Sequence, residues 1–352
     1  MAGLKQHHLP QFLLRGFSRE AGANAQVTVY TRARGAYRAA TQGVAAQRAF
    51  YSARTDASGS VTLDDKITAH ESGLAPFVAR LRRCAHESAV CSMDAARAVA
   101  HFGIRTAHFR LTVGAMIAEV VEYVGEQVTD PAKLGHALGL DASEPSDLLR
   151  NQARESWREH RTALVKAGFV QYMQFERFLF QHMKSEAGRA AIEEQVPFMS
   201  LLMERARSRS AEIAKKAHTR ALDRTLAPEP RVKALRAMVW TVQHTGGGEC
   251  ILPDCAVLAE TDEHGWLPFM LASGAGTTRV VLPIAHDRLL LGRRSSAPMI
   301  ASMDDLNLAA AEASSEMFVA LDQNARFESL RARIGHRIQE WLARAIASTR
   351  AE

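Results

Sequence analysis

Four side chains, His7, Glu71, Arg105 and Asp254, stand out in this 352-residue sequence for the chemistry their types and settings allow. An imidazole can act as general acid or base near neutral pH. Two carboxylates can orient it or ligate a divalent metal ion, and a guanidinium can hold an anionic group such as a phosphate. Hydrolysis, and phosphodiester cleavage in particular, is the most economical use of such a set. A second reading makes the same groups a buried polar network in a non-catalytic module that binds nucleic acid or an acidic protein partner. His8 and Arg15, close to His7, are expected to contribute to binding.

The segments around these residues say how they would be positioned. In Lys5-Gln6-His7-His8-Leu9-Pro10-Gln11-Phe12-Leu13-Leu14-Arg15-Gly16-Phe17, Pro10 keeps Leu9 extended and starts a short helix. Phe12, Leu13, Leu14 and Phe17 give that helix an apolar face, so both histidines sit at the edge of a core. From about Thr62, Leu63, Ile67, Leu74 and Leu81 recur at helical spacing, and Glu71 falls on their stripe. A carboxylate there needs an arginine, a histidine or a metal as partner. A structural salt bridge is the plain alternative. A second helix is expected from Met93 to about Val121, with His101, Arg105 and His108 on one side. Arg105 is the candidate to pair Glu71 or to clamp an anion, and the two histidines are read as structural. Asp254 leaves an apolar strand, where it could meet the histidine pair.

These stretches resemble the domain of unknown function 4238 family, DUF4238. Its opening signature places a histidine three residues before a proline and then an aromatic, a leucine and a phenylalanine, matched by His7, Pro10, Phe12, Leu14 and Phe17. His8 stands where an aromatic is frequent. The resemblance continues through Phe50-Tyr51, the Glu71 segment, Ile104-Arg105-Thr106, Leu252-Pro253-Asp254, Leu282-Pro283 and Asn307. It implies site positions at Glu71, Arg105 and Asp254, and a binding role or a turn-capping role for Asn307. It implies no mechanism. Ala107 replaces a common proline, which implies a straighter helix there, and the polar neighbours usual around the family's aspartate are missing at Asp254.

Composition narrows the class. At 47% hydrophobic residues the chain can fill a sizeable core. No apolar run approaches the roughly 20 residues of a membrane span, and no signal-peptide pattern opens the sequence, so the cytoplasm is the default location. The cysteines, Cys84, Cys91, Cys250 and Cys255, lack the spacing of a zinc ribbon or a disulfide framework. Residues 1–60 hold eight Lys or Arg against two acids, which accounts for the whole net charge of +6. That surplus beside a histidine pair suits nucleic acid or a phosphate-bearing small molecule; solvated strand-edge arginines are the alternative.

The remaining pattern predicts an α+β protein: a mainly α-helical body with an N-terminal β-hairpin and a C-terminal antiparallel sheet. It is read as one domain with a basic segment over 1–60, helices over 61–230, and sheet and closing helices over 231–352. Gln26–Tyr30 and Ala36–Ala40 form the hairpin, and Asp56–Ser60 a loop. Asp130-Pro131 and Ser143-Glu144-Pro145 start helices, the aromatic run 169–180 packs as core, and Pro197 breaks a helix or starts a turn. After Pro228-Glu229-Pro230 short apolar runs suggest strands, and 325–347 reads as one amphipathic helix. Neither Gly246-Gly247-Gly248 nor Gly274-Ala275-Gly276-Thr277-Thr278 continues as a phosphate loop. No lysine follows Glu260, Asp262 and Glu263, which excludes a nuclease of the PD-(D/E)xK kind.

Overall fold

The computed structural model describes residues 5–51, 61–272, 276–294 and 302–351; the expected Asp56–Ser60 loop, and Gly274 and Ala275 of the second glycine stretch, lie outside the described residues. In chain order the elements are β1 (Lys5–His7), α1 (Gln11–Leu14), β2 (Gln26–Thr31), β3 (Gly35–Ala40), β4 (Ala46–Arg48), α2 (Leu63–Leu81), α3 (Ser92–Ile104), α4 (Ala107–Val128), α5 (Pro131–Ala137), α6 (Asp147–Lys166), α7 (Tyr172–Lys184), α8 (Glu186–Ser208), α9 (Ser210–Arg224) and α10 (Glu229–Arg236). Then follow β5 (Val239–His244), β6 (Leu252–Pro253), β7 (Leu258–Thr261), β8 (Gly265–Pro268), β9 (Thr277–Ala285), β10 (Arg288–Arg293), α11 (Met303–Ala313), β11 (Met317–Ala320), α12 (Ala325–Arg331) and α13 (His336–Ala351). The chain is α+β, with every strand pairing antiparallel.

The chain divides into two compact units, one of Met1–Gly114 with Ile213–Glu352 and one of Ala115–Glu212. All the sheets lie in the first: β1-β4, a four-stranded β3-β2-β11-β6, and a five-stranded β5-β10-β9-β7-β8. The hairpin of β2 and β3 forms as its alternating Val27, Val29 and β-favouring neighbours predict. Its outer partner, β11, comes from nearly three hundred residues later, pairing Tyr30 with Phe318 and stacking their rings at 4.8 Å. Strand β9 tolerates Pro283 because the register slips beside it, where Arg288 opposes Ala285 and Leu289 opposes Pro283.

That slip anchors the N-terminal segment. The Ile284 carbonyl accepts from Arg82 Nε at 2.7 Å, and Arg82 Nη2 reaches the carbonyls of Phe12 (2.8 Å) and Leu13 (3.1 Å). One arginine at the end of α2 thus ties α1 to the sheet. Gly16 permits the approach: a Cβ there would lie 2.3 Å from the Ile284 oxygen. Leu9, Leu13, Leu14 and Phe17 are fully buried beneath. Burying these four contributes about 2 kcal/mol each.

Several sequence expectations need correction. The helix expected from Met93 to Val121 is two helices, because α3 ends at Ile104 and α4 begins at Ala107. Thr106 turns the chain, its hydroxyl bonding the Gly103 carbonyl and accepting from Phe109 N. Absence of the family's proline therefore does not make one straight helix. The 325–347 stretch also divides, at Gly335, whose φ of 87° a helix cannot contain. Conversely, α8 runs unbroken through Pro197. In the second unit Asp130 caps α5 with Pro131 in its first turn, as expected, whereas α6 is capped by Ser146, just beyond Ser143-Glu144-Pro145. The aromatic run of α7 buries Phe175 and Phe180 but exposes Phe178 and Met173. Leu140, Leu149, Phe180 and Ile192 form the core of that unit.

Candidate functional site

The opening residues pair β1 with β4, setting His7 opposite Ala46, while Tyr51 N bonds Gln6 Oε1 at 2.6 Å. The chain leaves β1 through Pro10, held extended at ψ 139° as the cap of α1. His7 Nε2 donates to the Gln42 carbonyl at 3.2 Å, so in the neutral ring Nδ1 is the basic nitrogen. Burial lowers the His7 pKa below the usual histidine value, against the pull of the Gln42 bond and assisted by the Arg105 charge. His7 is a neutral base at pH 7.

Glu71 reaches the same place from α2. A capping box starts that helix: Thr62 Oγ1 accepts from Asp65 N, and Asp65 returns the bond to Thr62 N. Ile67, Phe77, Val78 and Leu81 bury one face, and Thr68, Glu71, Ser72 and Ala75 follow one another at helical spacing along its border, so Glu71 sits at the edge of its expected apolar stripe. These four, with His7, Pro10, Gln11, Phe12 and Arg15, line an open cavity of about 330 Å3.

Behind the cavity, the buried Arg105 joins the two elements. Its guanidinium pairs with Glu71 and donates to the His7 carbonyl, and its Nε donates to the Tyr51 hydroxyl at 3.2 Å. Tyr51 Oη lies 3.0 Å from the Arg105 carbonyl and 3.3 Å from that of His7. Of the two roles expected of Arg105, pairing Glu71 or clamping an anion, it takes the first, and it does not line the cavity. Among the described residues that line it, Arg15 is the cation, exposed on the rim with Gln11 Oε1 at 3.2 Å.

His101 borders Glu71: its Nδ1 donates to the Leu226 carbonyl at 3.0 Å, which leaves Nε2, 3.4 Å from the carboxylate, an acceptor with no proton to give in the neutral ring. Burial lowers its pKa to about 4, so the ring is neutral. Its ring lies 4.5 Å from that of His70. The expected alignment of His101, Arg105 and His108 fails with the helix break. His101 and Arg105 still meet at Glu71, while His108 is buried elsewhere and bonds the Ala313 backbone. His101 enters the sequence reading as a structural histidine, and Tyr51 enters it only within the Phe50-Tyr51 motif. Their signals were the spacing of four from Arg105 and that motif.

The other expected members lie apart from the cavity. His8, in contact with Phe50 at 5.5 Å between centroids, is buried, and desolvation lowers its pKa to about 3. Asn307 joins two strands of chain, accepting from Ile251 N at 3.0 Å and donating to the Glu249 carbonyl at 2.8 Å. Asp254 is buried after β6 and takes the N–H groups of Ser315 (2.9 Å), Glu316 (2.7 Å) and Met317 (3.1 Å). Burial raises its pKa to about 7 against those three bonds. The carboxylate fastens the start of β11. Asp254→Asn is expected to cost about 1–3 kcal/mol in a chemical unfolding curve while leaving ligand binding at the His7 cavity unchanged.

Among the described residues, no group of three or more His, Cys, Asp or Glu side chains is disposed to hold a metal ion, and no helix is long and apolar enough to cross a membrane. The described free cysteines form no disulfide. The molecule is thus an α+β protein with an N-terminal histidine held beside a buried arginine–glutamate pair. The family described as protein of unknown function, DUF4238, matches residues 5–315, and the chain belongs to it. No curated protein and no solved structure matches the chain.

Proposed function

We propose that the protein is a hydrolase acting on a phosphate ester at the cavity of His7, Glu71 and Arg15. One observation carries this reading: a neutral imidazole and a carboxylate line one open cavity, and a single buried guanidinium fixes both of their elements. Arg15 would bind the phosphate oxygens. His7 Nδ1 would take a proton from water as the water oxygen adds to phosphorus; the ester P–O bond breaks, and the same proton passes to the leaving oxygen. Glu71 would orient the water. A divalent ion could assist the carboxylate, although Asp254, once its second expected ligand, is committed to the backbone.

The test is a screen with chromogenic phosphate mono- and diesters, with and without Mg2+ or Mn2+. His7→Ala is expected to lower turnover about 10²–10⁴-fold while moving the melting temperature only a few degrees, since it removes one exposed hydrogen bond. Turnover retained in His7→Ala would overturn the assignment.

The second reading, a nucleic-acid-binding module, also has a specific observation behind it. Lys5 and Arg48, both exposed, stand directly opposite each other across β1 and β4, a like-charge pair that costs stability unless an anion sits nearby. Binding to oligonucleotides that weakens steeply with salt and survives His7→Ala would favour it.

A further inference from the structure

A second cleft, of about 510 Å3, opens in the same unit, away from His7. Met303 lines it with the buried Leu289 and Leu291 behind, and His86, Glu87, His244 and Asp304 bring polar groups to its lining. The hydrogen bonds of the two histidines decide what they offer. His86 Nδ1 accepts from His244 N at 3.0 Å, so its proton is on Nε2, a free donor. His244 Nε2 donates to the Cys84 carbonyl at 3.0 Å, which leaves Nδ1 an acceptor. The rings meet edge to face, with centroids 5.6 Å apart. The pair thus offers one N–H donor and one ring-nitrogen acceptor, the two functions that the amino and ring-nitrogen edge of adenine or cytosine calls for.

Charge narrows the ligand further. Among the described lining residues the arginine, Arg326, is paired with Asp304, and Glu87 adds a negative charge, a balance that disfavours a phosphate. Glu87 also holds a left-handed backbone, φ 61°, pinned by its N–H to the Val242 carbonyl at 2.8 Å. A strained non-glycine residue at a cleft is a recurrent mark of a ligand site. We infer that this cleft binds an uncharged nucleoside, its base beside Met303 and against the His86–His244 pair. Glu87 and Asp304 are then the acceptors for sugar hydroxyls.

The inference is independent of the reaction proposed at His7. Calorimetric titration of the full chain with adenosine, cytidine, guanosine and uridine, each beside its 5′-monophosphate, tests it. Saturable binding of adenosine or cytidine with a Kd below about 1 mM is expected, with the monophosphates weaker. His86→Ala, an exposed truncation, should weaken binding about tenfold or more, and Asp304→Ala should erase the discrimination against monophosphates by freeing Arg326. His7→Ala should leave nucleoside binding intact. No saturable binding by any nucleoside, or binding indifferent to His86→Ala, would overturn the assignment.

Discussion

Arg105→Ala is expected to be the most damaging single substitution at the site, costing about 3–5 kcal/mol of stability. The guanidinium is nearly inaccessible, at 3% side-chain exposure, and its Glu71 partner is only 17% exposed. Removal leaves a carboxylate facing a neutral His101, and strips the His7 carbonyl and the Tyr51 hydroxyl of a donor. A loss of that size is a large share of the stability of a domain, and in a chain this long it lowers Tm by about 10 °C. Arg105→Lys should recover part of it, because a single ammonium keeps the charge but cannot make the forked contacts. The double variant Arg105→Met, Glu71→Met should be more stable than Arg105→Ala alone, since no buried charge is left unpaired. Scanning calorimetry decides: an Arg105→Ala protein that melts within 2 °C of the parent would show that the pair does not hold the site together.

Acid should unfold the protein well above the usual carboxylate range. His8, with a pKa lowered to about 3, and His101, His108 and His218, each lowered to about 4, are buried and neutral in the folded chain, with desolvation the chief cause. Unfolded, each titrates near 6.5. The unfolded state therefore binds more protons as pH falls below 6.5, and the stability these groups contribute, complete above 6.5, drains away until the folded pKa is reached. Each drains up to about 1.4 kcal/mol per pH unit. Asp254 opposes them with one group, because its raised pKa lets the folded chain take up a proton first, between about 7 and 4. The histidines outnumber it. Melting temperature is expected to fall steeply from pH 6 to pH 4.5, and His218→Gln, which can keep the bond to the Ile104 carbonyl, to flatten the profile. A melting temperature constant over that range would contradict the burial of these rings.

The amino-acid sequence by itself determined the local devices: Pro10 extending the His7 segment, the start of a helix near Thr62, the hairpin of β2 and β3, and the need of Glu71 for an arginine, histidine or metal partner. Each follows from residues a few positions apart, where backbone sterics and side-chain periodicity act directly. Only the tertiary structure decided which distant groups meet. It placed β11 against β2 and so drew Asp254 to the N–H groups of Ser315 to Met317, away from His7. It turned the chain at Thr106, so that Arg105 could reach both Glu71 and the His7 carbonyl, and left Arg15 as the cation among the described residues of the cavity. Periodicity cannot reveal such meetings, because the free energy that selects them comes from packing and from satisfying buried polar groups across the whole fold.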